Sequence, residues 1–307
     1  MEELIAPVEL NYLEKELTAD KIVRPTQNGS NILYIVSAQD SPNVLREIGR
    51  LRELSFRNAG GGTGKSLDLD EDDFAADGYK QLIVWDPDNK RIIGGYRYIV
   101  STEENPKHFS TEHYFHFSEK FRKEYLPYTI ELGRSFVQPC YQGRSGGMKS
   151  IYALDNLWDG LGSIAVMNPT TKYYFGKVTM YDNYNNMARL YLFYFFQKYF
   201  SDSEGLVTPI AQKVFKVKGL EKMKDIFVGD YDQDYKMLVT KLKECGENIP
   251  PLINAYMKLS PSMKLFGTVI NSDFGSVHET GMLVTIKDIY KDKYMRYFDS
   301  AKAYLNE

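Results

Sequence analysis

A glutamate and a glycine share one face of the segment Thr129–Val137, which has the pattern of a strand. Alternate side chains of an extended chain point to the same side, so Glu131, Gly133 and Ser135 form one face and Arg134 belongs to the other. Glycine within a strand often marks a bulge or a close approach by a ligand. A half-buried glutamate there is suited to abstracting a proton near neutral pH. We therefore expect Glu131 to be a general base; the alternative is an ion pair with Arg134 that only steadies the sheet.

A glycine-rich stretch followed by carboxylates runs from Asn58 to Asp77. Its segment Ala59–Ser66 satisfies the loosest form of a phosphate-binding loop. Such a loop normally follows a buried strand and opens a helix. This one follows a predicted helix and precedes the acidic segment Leu67–Asp73, which would repel a triphosphate. The composition therefore predicts an irregular functional loop at the mouth of a site rather than a nucleotide-binding loop.

Metal-binding and covalent chemistry have less support in the residue spacing. His108, His113 and His116 lie close together, but no cysteine or carboxylate stands beside them at a spacing that converges. Cys140 could serve as a nucleophile, yet no histidine follows it until His278, which favours a structural thiol. We therefore expect no metal site and no covalent enzyme intermediate.

The predicted secondary structure is a mixed α/β pattern that places Glu131 on a central strand. A strongly aromatic helix follows later, and its apolar circumference favours a core helix, with the wall of a fatty-acyl tunnel or a membrane-facing surface as alternatives. We expect a core of residues 1–200, with residues 201–307 as an extension that completes or packs on the same sheet. The main predicted elements are a helix at 41–57, strands at 81–85, 92–100 and 128–137, a helix at 152–166, a strand at 173–180 and the aromatic helix at 185–200.

Composition excludes several classes of protein. Of the 307 residues 43% are hydrophobic and 26% are charged, which rules out a disordered chain or a fibre. The net charge of −3 gives no global reason to bind nucleic acid. Two cysteines fit a reducing cytosol, the start Met1–Pro7 is not a signal peptide, and the apolar run Leu190–Phe196 is too short to span a membrane. We therefore expect a cytoplasmic protein.

Two motifs carry a resemblance to a known family. The segment Glu131–Phe136, preceded by Ile93–Arg97, resembles the signature of the hemolysin-like branch of the GNAT acyltransferases, which includes the ornithine and glycine N-acyltransferases that make bacterial aminolipids. The pattern is also similar to that of the acyl-homoserine-lactone synthases. Those enzymes show Arg-x-x-x-Phe on a helix, a carboxylate-rich loop, an arginine ending a Gly-x-x-Arg strand, and Glu-x-x-Arg on the next strand. This chain has Arg52 and Phe56, then Asp70 and Asp73, then Gly94–Arg97, then Glu131 and Arg134.

The resemblance implies an α/β fold of the GNAT-like three-layer type, with a central mixed, mostly antiparallel twisted sheet flanked by helices. It also implies roles for the residues that match. The catalytic residues would be Glu131, Arg134 and Arg97. The substrate-binding residues would be Arg52, Phe56, Asp70, Asp73, Gly95, Gly133, Ser135 and Trp158.

The expected binding region for the acyl donor departs from the usual GNAT pattern. Most GNAT enzymes hold the CoA pyrophosphate on a glycine-rich turn at a helix N-terminus, where unpaired backbone amides meet the anion. Here the corresponding segment, Tyr141–Lys149, is glycine-rich and basic but out of that register. The resemblance therefore favours an acyl-phosphopantetheine arm on an acyl carrier protein over acyl-CoA, with no tightly bound cofactor. The candidate donor-binding residues are Val137, Arg144, Gly146, Gly147 and Lys149.

The resemblance as a whole implies an N-acyltransferase. It would move a fatty acyl group from an acyl carrier protein or CoA thioester to the amine of a small amino acid or an aminolipid precursor. One alternative is an acyl-homoserine-lactone-type synthase, which would need a pocket for S-adenosylmethionine. The other is a catalytically inactive GNAT-like binding module. A peripheral contact with the inner membrane is compatible with each of these three functions.

Overall fold

The computed structural model describes residues 1–143 and 147–306, apart from the side chains of residues 147–149 and 151. The described chain forms two compact units. One unit comprises Met1–Ser110, Pro127–Thr171 and Tyr290–Glu307, and the other comprises Thr111–Leu126 and Lys172–Ile289. The C-terminal segment therefore belongs to the first unit, although it follows the second unit along the chain.

The strands and helices of the described residues agree closely with the predicted positions. The strands are β1 Ile22–Pro25, β2 Ile32–Val36, β3 Lys80–Asp86, β4 Arg91–Val100, β5 Phe115–Phe117, β6 Thr129–Val137, β7 Tyr173–Met180, β8 Val207–Pro209, β9 Lys264–Asn271 and β10 Val277–Thr285. The helices are α1 Leu10–Glu16, α2 Pro42–Ala59, α3 Glu71–Phe74, α4 Gly147–Met167, α5 Asn186–Tyr199, α6 Tyr231–Glu244, α7 Pro251–Met257, α8 Lys291–Tyr294 and α9 Ser300–Leu305.

The first unit is built on an antiparallel sheet with the strand order β1-β2-β3-β4-β6. Strands β3 and β4 form an antiparallel hairpin, and their interior residues are almost all buried. Helix α4 packs against β3 and β4, and α2 packs against β6. This arrangement of a mostly antiparallel sheet flanked by helices confirms the predicted fold class, and it holds β6 at the edge of the five-stranded set.

The C-terminal segment seals one face of α4. The carbonyl oxygen of Tyr297 lies 2.3 Å from where a Cβ at Gly162 would stand, so only glycine permits this approach. The Tyr297 hydroxyl also donates a hydrogen bond of 2.7 Å to Asp155 on α4. The ring of Trp158 lies 6.1 Å from that of Tyr297. The hydrophobic core of the first unit is therefore completed by residues from the far end of the chain.

The second unit contains strands β7, β10 and β9 in antiparallel order, together with the short pair β5 and β8. Helix α5 buries Leu192, Phe193, Phe195 and Phe196. The ring of Phe195 packs 5.8 Å from that of Phe227. The interpretation of the aromatic helix as a core element is thus confirmed. Among the described residues, no helix combines the length and the apolar character that a membrane crossing requires.

Candidate active site

A buried arginine on α2 begins a network of ion pairs in the first unit. Arg52 is completely buried, and its Nη1 lies 3.2 Å from Asp73 Oδ2. Its Nη2 donates a hydrogen bond of 2.6 Å to Gln81 Oε1, and Gln81 Nε2 donates one of 2.9 Å to Asp73 Oδ1. These three side chains contact one another in a buried site, so they fix the position of Asp73 relative to α2 and β3.

Arg97 on β4 extends the network toward the acidic loop. Its Nη1 lies 2.6 Å from Asp70 Oδ1 and 3.3 Å from Asp73 Oδ2, and its Nη2 lies 3.7 Å from Asp72 Oδ2. Burial acts to lower the pKa of Arg97, but the charges of Asp73 and Asp70 outweigh it and raise that pKa. Burial likewise acts to raise the pKa of Asp70, and Arg97 holds it well below its usual range. Both partners are therefore charged at neutral pH.

The acidic loop is more regular than the sequence predicted. Residues 71–74 form the one-turn helix α3, and Asp70 is its N-cap. The Asp70 carboxylate accepts a hydrogen bond from the Asp73 amide, while the Asp73 carboxylate accepts one from the Asp70 amide. This reciprocal capping box fixes both carboxylates in position to meet Arg97. The expectation of an irregular stretch from Asn58 to Asp77 is therefore wrong at this turn.

Strand β6 carries the bulge that Gly133 predicted. Gly95 pairs with Phe136 and Arg97 pairs with Gly133, so two residues of β6, Arg134 and Ser135, stand opposite one residue of β4. Arg134 has a φ of +50°, a left-handed conformation that a non-glycine residue rarely adopts. The expected strict alternation along Thr129–Val137 is therefore broken at Arg134.

The bulge directs Arg134 to the acidic loop. Its Nη1 lies 3.3 Å from Asp68 Oδ1, and its Nη2 lies 3.4 Å from Asp70 Oδ2. Burial raises the pKa of Asp68, with Arg134 acting against that rise. The Arg134 side chain is 23% exposed, against 4% for Arg97. Of these two arginines, Arg134 is therefore the more accessible to a small anion.

Glu131 is buried on β6, with 1% of its surface exposed. The Tyr79 hydroxyl donates a hydrogen bond to Glu131 Oε2, and the Ser110 amide donates a second one of 3.0 Å to the same oxygen. The expected half-buried glutamate is thus more enclosed than predicted. Both of these neighbours bond to the same carboxyl oxygen and hold the side chain in place.

Tyr79 connects Glu131 to the arginine network. The Arg97 Cζ lies 4.5 Å from the centroid of the Tyr79 ring, a cation–π arrangement. Burial and then the charge of Glu131 raise the pKa of Tyr79, so its hydroxyl keeps its proton. No motif or spacing in the sequence pointed to this residue, which is one of 24 tyrosines and lies outside the matched motifs.

The glycine-rich loop binds a carboxylate of this chain. The amides of Thr63 and Gly64 donate hydrogen bonds of 2.9 and 2.7 Å to the Glu53 carboxylate, and Arg57 Nε donates one of 2.7 Å. Burial acts to raise the pKa of Glu53, but these hydrogen bonds lower it overall. The loop donors that a phosphate would need are directed at Glu53, in agreement with the expectation that this is not a nucleotide-binding loop.

A cavity of about 610 Å³ borders Asp70. Its walls combine apolar and charged side chains, and the Phe74 side chain in it is 57% exposed. The lining residues are Lys65, Leu69, Asp70, Glu71, Phe74 and Ala75. Arg52 and Arg97 are not among these lining residues, whereas Asp70, which contacts Arg97, is. Among the described residues, no group of three or more histidine, cysteine, aspartate or glutamate side chains is arranged to hold a metal ion.

Comparisons with known proteins identify the family. Residues 51–150 match the family described as acetyltransferase (GNAT) domain. The chain is 50% identical over 306 residues to a glycine N(alpha)-acyltransferase of Bacteroides thetaiotaomicron, covering 98% of this chain and 90% of that protein. The chain belongs to the GNAT acyltransferase family. A second glycine N(alpha)-acyltransferase, of Phocaeicola vulgatus, is 50% identical over 307 residues, covering 98% of this chain and 94% of that protein.

Two solved structures show a distant likeness to this chain. One is a CoA-dependent acyl-homoserine lactone synthase with SAM and isopentyl-CoA, with a TM-score of 0.38 and 11% identity over 89% of this chain and 90% of that chain. The other is the arginine/ornithine succinyltransferase subunit AI of Pseudomonas aeruginosa, with a TM-score of 0.32 and 13% identity over 92% of this chain and 76% of that chain.

The structure of this GNAT acyltransferase brings together most of the residues that the motifs predicted. Arg52, Asp73, Arg97, Asp70 and Arg134 form one continuous network of ion pairs. Gly133 lies against it, since a Cβ built there would be 3.8 Å from Arg97 Nε. Ser135 and Val137 follow on the bulged strand and are partly exposed. Order along the chain was thus sufficient to predict the members of the network.

Three predicted substrate-binding residues are tightly packed in the first unit. Phe56 and Trp158 are 7% and 4% exposed and belong to its hydrophobic core. A Cβ at Gly95 would lie 2.6 Å from the Leu82 carbonyl oxygen, so this glycine permits the close approach of a neighbouring strand. The predicted donor-binding residues Arg144, Gly146, Gly147 and Lys149 fall on the segment 144–149, whose side chains lie outside the described residues.

Proposed function

We propose that this acyltransferase moves a fatty acyl group from the thioester of an acyl carrier protein to the α-amine of glycine, giving an N-acylglycine of the kind that serves as an aminolipid precursor. Glycine is the acceptor named for both relatives at 50% identity over 98% of the chain. The observation that carries the mechanism is the position of Glu131, which lies on the bulged strand and is held by hydrogen bonds from Tyr79 and Ser110.

Glu131 would act as the base. The α-amine of an amino acid has a pKa near ~8, so part of it is protonated at neutral pH, and attack on a thioester needs the free amine. A carboxylate fixed by two donors is positioned to accept that proton, directly or through one water molecule. The carbon–nitrogen bond then forms, the carbon–sulfur bond breaks, and the thiol leaves with a proton.

Arg134 would hold the carboxylate of the acceptor. The planar guanidinium fork of arginine matches a carboxylate, and Arg134 is partly exposed with contacts of 3.3 and 3.4 Å to its present partners. Arg97 is already surrounded by Asp70, Asp72 and Asp73. We therefore assign acceptor binding to Arg134, whereas Arg97 fixes Asp70 and carries the ring of Tyr79.

The bulge would supply donors for the oxyanion. A bulge leaves one residue of the strand outside the regular ladder, so backbone amides at Gly133–Ser135 become available to a ligand. Attack of the amine places a negative charge on the thioester oxygen. Each amide aimed at that oxygen is worth about 3–4 kcal/mol in enzymes where such a donor was removed.

The test is a reaction of the purified chain with acyl carrier protein and CoA thioesters, each offered glycine, serine and ornithine and read by mass spectrometry. We expect N-acylglycine in step with thiol release, and a loss of about 10²–10⁴-fold in kcat for Glu131→Gln. Full activity of Glu131→Gln would contradict the base assignment. A lactone formed with S-adenosylmethionine would favour the synthase alternative, and intact thioesters would favour the binding module.

A further inference from the structure

A lysine-rich stretch of the second unit has no counterpart in the proposed catalytic site. The segment Lys213–Lys224, named here the basic segment, contains five lysines and one acidic residue. Its side chains at Lys216, Lys218, Lys222 and Lys224 are exposed. The described part of the chain offers none of these four a salt-bridge partner. The basic segment therefore carries uncompensated positive charge on a protein whose net charge is −3.

Three other lysines of the same unit have acidic partners. Lys120 and Lys264 share Glu204, with contacts of 2.6 and 2.9 Å. Lys241 contacts Glu244 at 2.8 Å. Like charges gathered without partners repel one another and lower stability slightly, while they raise the local positive potential. Such a concentration of charge fits a surface that attracts an acidic partner.

The basic segment is anchored to the second unit. The Phe215 amide donates a hydrogen bond of 2.9 Å to the Thr268 carbonyl, and the Phe215 ring lies 4.0 Å from that of His278. Met223, within the segment, and Phe227, which lies after its end, are buried, with 5% and 4% of their surfaces exposed. The lysines thus extend from a backbone that is fixed by apolar contacts, and this lowers the entropy lost when a partner binds.

We propose that the basic segment is the docking surface for the acidic carrier protein that delivers the acyl thioester. This inference rests on the proposed function and names the surface that its donor would contact. Positive charges spread along the segment match an extended acidic protein better than the compact phosphates of CoA. A membrane surface fits less well, because interfacial segments present large apolar side chains. The residues from Lys213 to Val228 are all described, and the one highly exposed apolar residue among them is Val228, at 75%.

The test compares two sets of substitutions that remove the same charge. In the docking variant, Lys216, Lys218, Lys222 and Lys224 are each changed to Gln. In the control variant, the exposed residues Lys15, Lys123, Lys287 and Lys291 are each changed to Gln. Binding of a fluorescently labelled acyl carrier protein thioester is measured by anisotropy at low and at physiological salt. Turnover is measured with the same thioester and with acyl-pantetheine, which lacks the carrier.

We expect the docking variant to bind the carrier at least about tenfold more weakly at low salt and to show a smaller salt dependence. Its kcat, its turnover of acyl-pantetheine and its circular dichroism should match those of the wild type. The control variant should bind like the wild type. Equal carrier binding by all three proteins would overturn the docking surface. The docking surface would also be overturned if the docking variant lost binding only to phosphatidylglycerol vesicles, because that result would identify a lipid surface instead.

Failure of the proposed function would look different. If the wild type makes no N-acylglycine from any thioester, the acceptor or the reaction is misassigned, whatever the binding data show. If it makes N-acylglycine from acyl-CoA and neither binds nor uses the carrier, the reaction stands and the docking surface is wrong. If the wild type binds the carrier but makes no N-acylglycine, weaker carrier binding by the docking variant still supports the surface.

Discussion

The hydroxyl of Tyr79 donates a hydrogen bond to the carboxylate of Glu131. The face of the same tyrosine ring lies against the guanidinium of Arg97, at 4.5 Å from the ring centroid. One side chain therefore contacts the proposed base through its edge and the ion-pair network through its face. A displacement of the acidic loop would reach Glu131 through this ring, because Arg97 is the shared member.

Tyr79→Phe keeps the ring under Arg97 and removes the donor to Glu131. The hydroxyl donor helps to hold the Glu131 carboxylate in place, so its loss should weaken the proposed base. At neutral pH we expect kcat/KM to fall by about 10–100-fold, the usual range for a hydrogen bond to a charged group. The measurement is the initial rate of N-acylglycine formation at neutral pH.

The matched control for that experiment is Tyr141→Phe. The Tyr141 hydroxyl also donates to a carboxylate, that of Asp86, at 2.7 Å and in a buried setting. Removing it should leave kcat/KM for N-acylglycine formation at the wild-type value. Equal kcat/KM values for Tyr79→Phe and Tyr141→Phe would show that Tyr79 has no influence on the base.

Gly133→Ala and Gly95→Ala should separate function from packing. A Cβ at Gly95 meets the Leu82 carbonyl oxygen at 2.6 Å, so two strands must move apart, and we expect a loss of about 1–3 kcal/mol in the free energy of unfolding. A Cβ at Gly133 has Arg97 Nε as its nearest neighbour, at 3.8 Å, so stability should stay within about 0.5 kcal/mol.

Activity should follow the opposite order in this pair. The methyl group of Gly133→Ala projects beside the bulge that is proposed to receive the thioester, and we expect the KM for the donor to rise about tenfold. Urea titration and initial rates on the folded fraction give both quantities. A wild-type KM for the donor in Gly133→Ala would show that the bulge is not part of the donor-binding site.

Asp70→Asn tests the charge of the loop. The folded-state pKa of Asp70 is lowered mainly by Arg97, although burial opposes this. A lowered pKa stabilises the fold above the unfolded value of ~3.9, and this contribution is lost as the pH falls through the folded value. Asparagine is an equally good N-cap, so the cap survives.

We therefore expect Asp70→Asn to be less stable than the wild type at pH 7, with the difference shrinking once the pH is below ~3.9. Urea unfolding at pH 7, 5 and 3 measures it. A difference that stays constant over this range would show that the ion pair with Arg97 contributes nothing to stability.

Arg52→Met should be strongly destabilising. It leaves Asp73 buried without the guanidinium at 3.2 Å, and breaking a buried pair typically costs about 3–5 kcal/mol. Lys241→Met removes one partner of the exposed pair with Glu244 and should cost less than about 1 kcal/mol. Similar losses for the two variants in urea unfolding would mean that burial does not strengthen the Arg52 pair.

The sequence predicted the composition of the ion-pair network but not the contacts of the base. Arg52, Asp70, Arg97 and Arg134 occur in a recognisable order, and a bulge could be inferred from Gly133. No spacing rule connects Tyr79 to Glu131, because that contact depends on how β3 and β6 lie on either side of β4.

Two other differences have local causes. The predicted period-two alternation of side chains is interrupted at Arg134 because the bulge adds a residue to the strand there. Arg134 adopts a positive φ, and a non-glycine residue in the sequence does not indicate that conformation. Helix α3 was not predicted because one turn is too short to show a hydrophobic period, although Asp70 and Asp73 have the spacing of a capping box.

The return of the segment from Tyr290 to the first unit has a consequence for biosynthesis. Tyr297 packs on Trp158 and Gly162, so the apolar face of α4 stays uncovered while the second unit is being translated. The first unit cannot close before this segment has left the ribosome. During synthesis it would thus be exposed to chaperones and proteases for longer than a domain encoded in one continuous stretch.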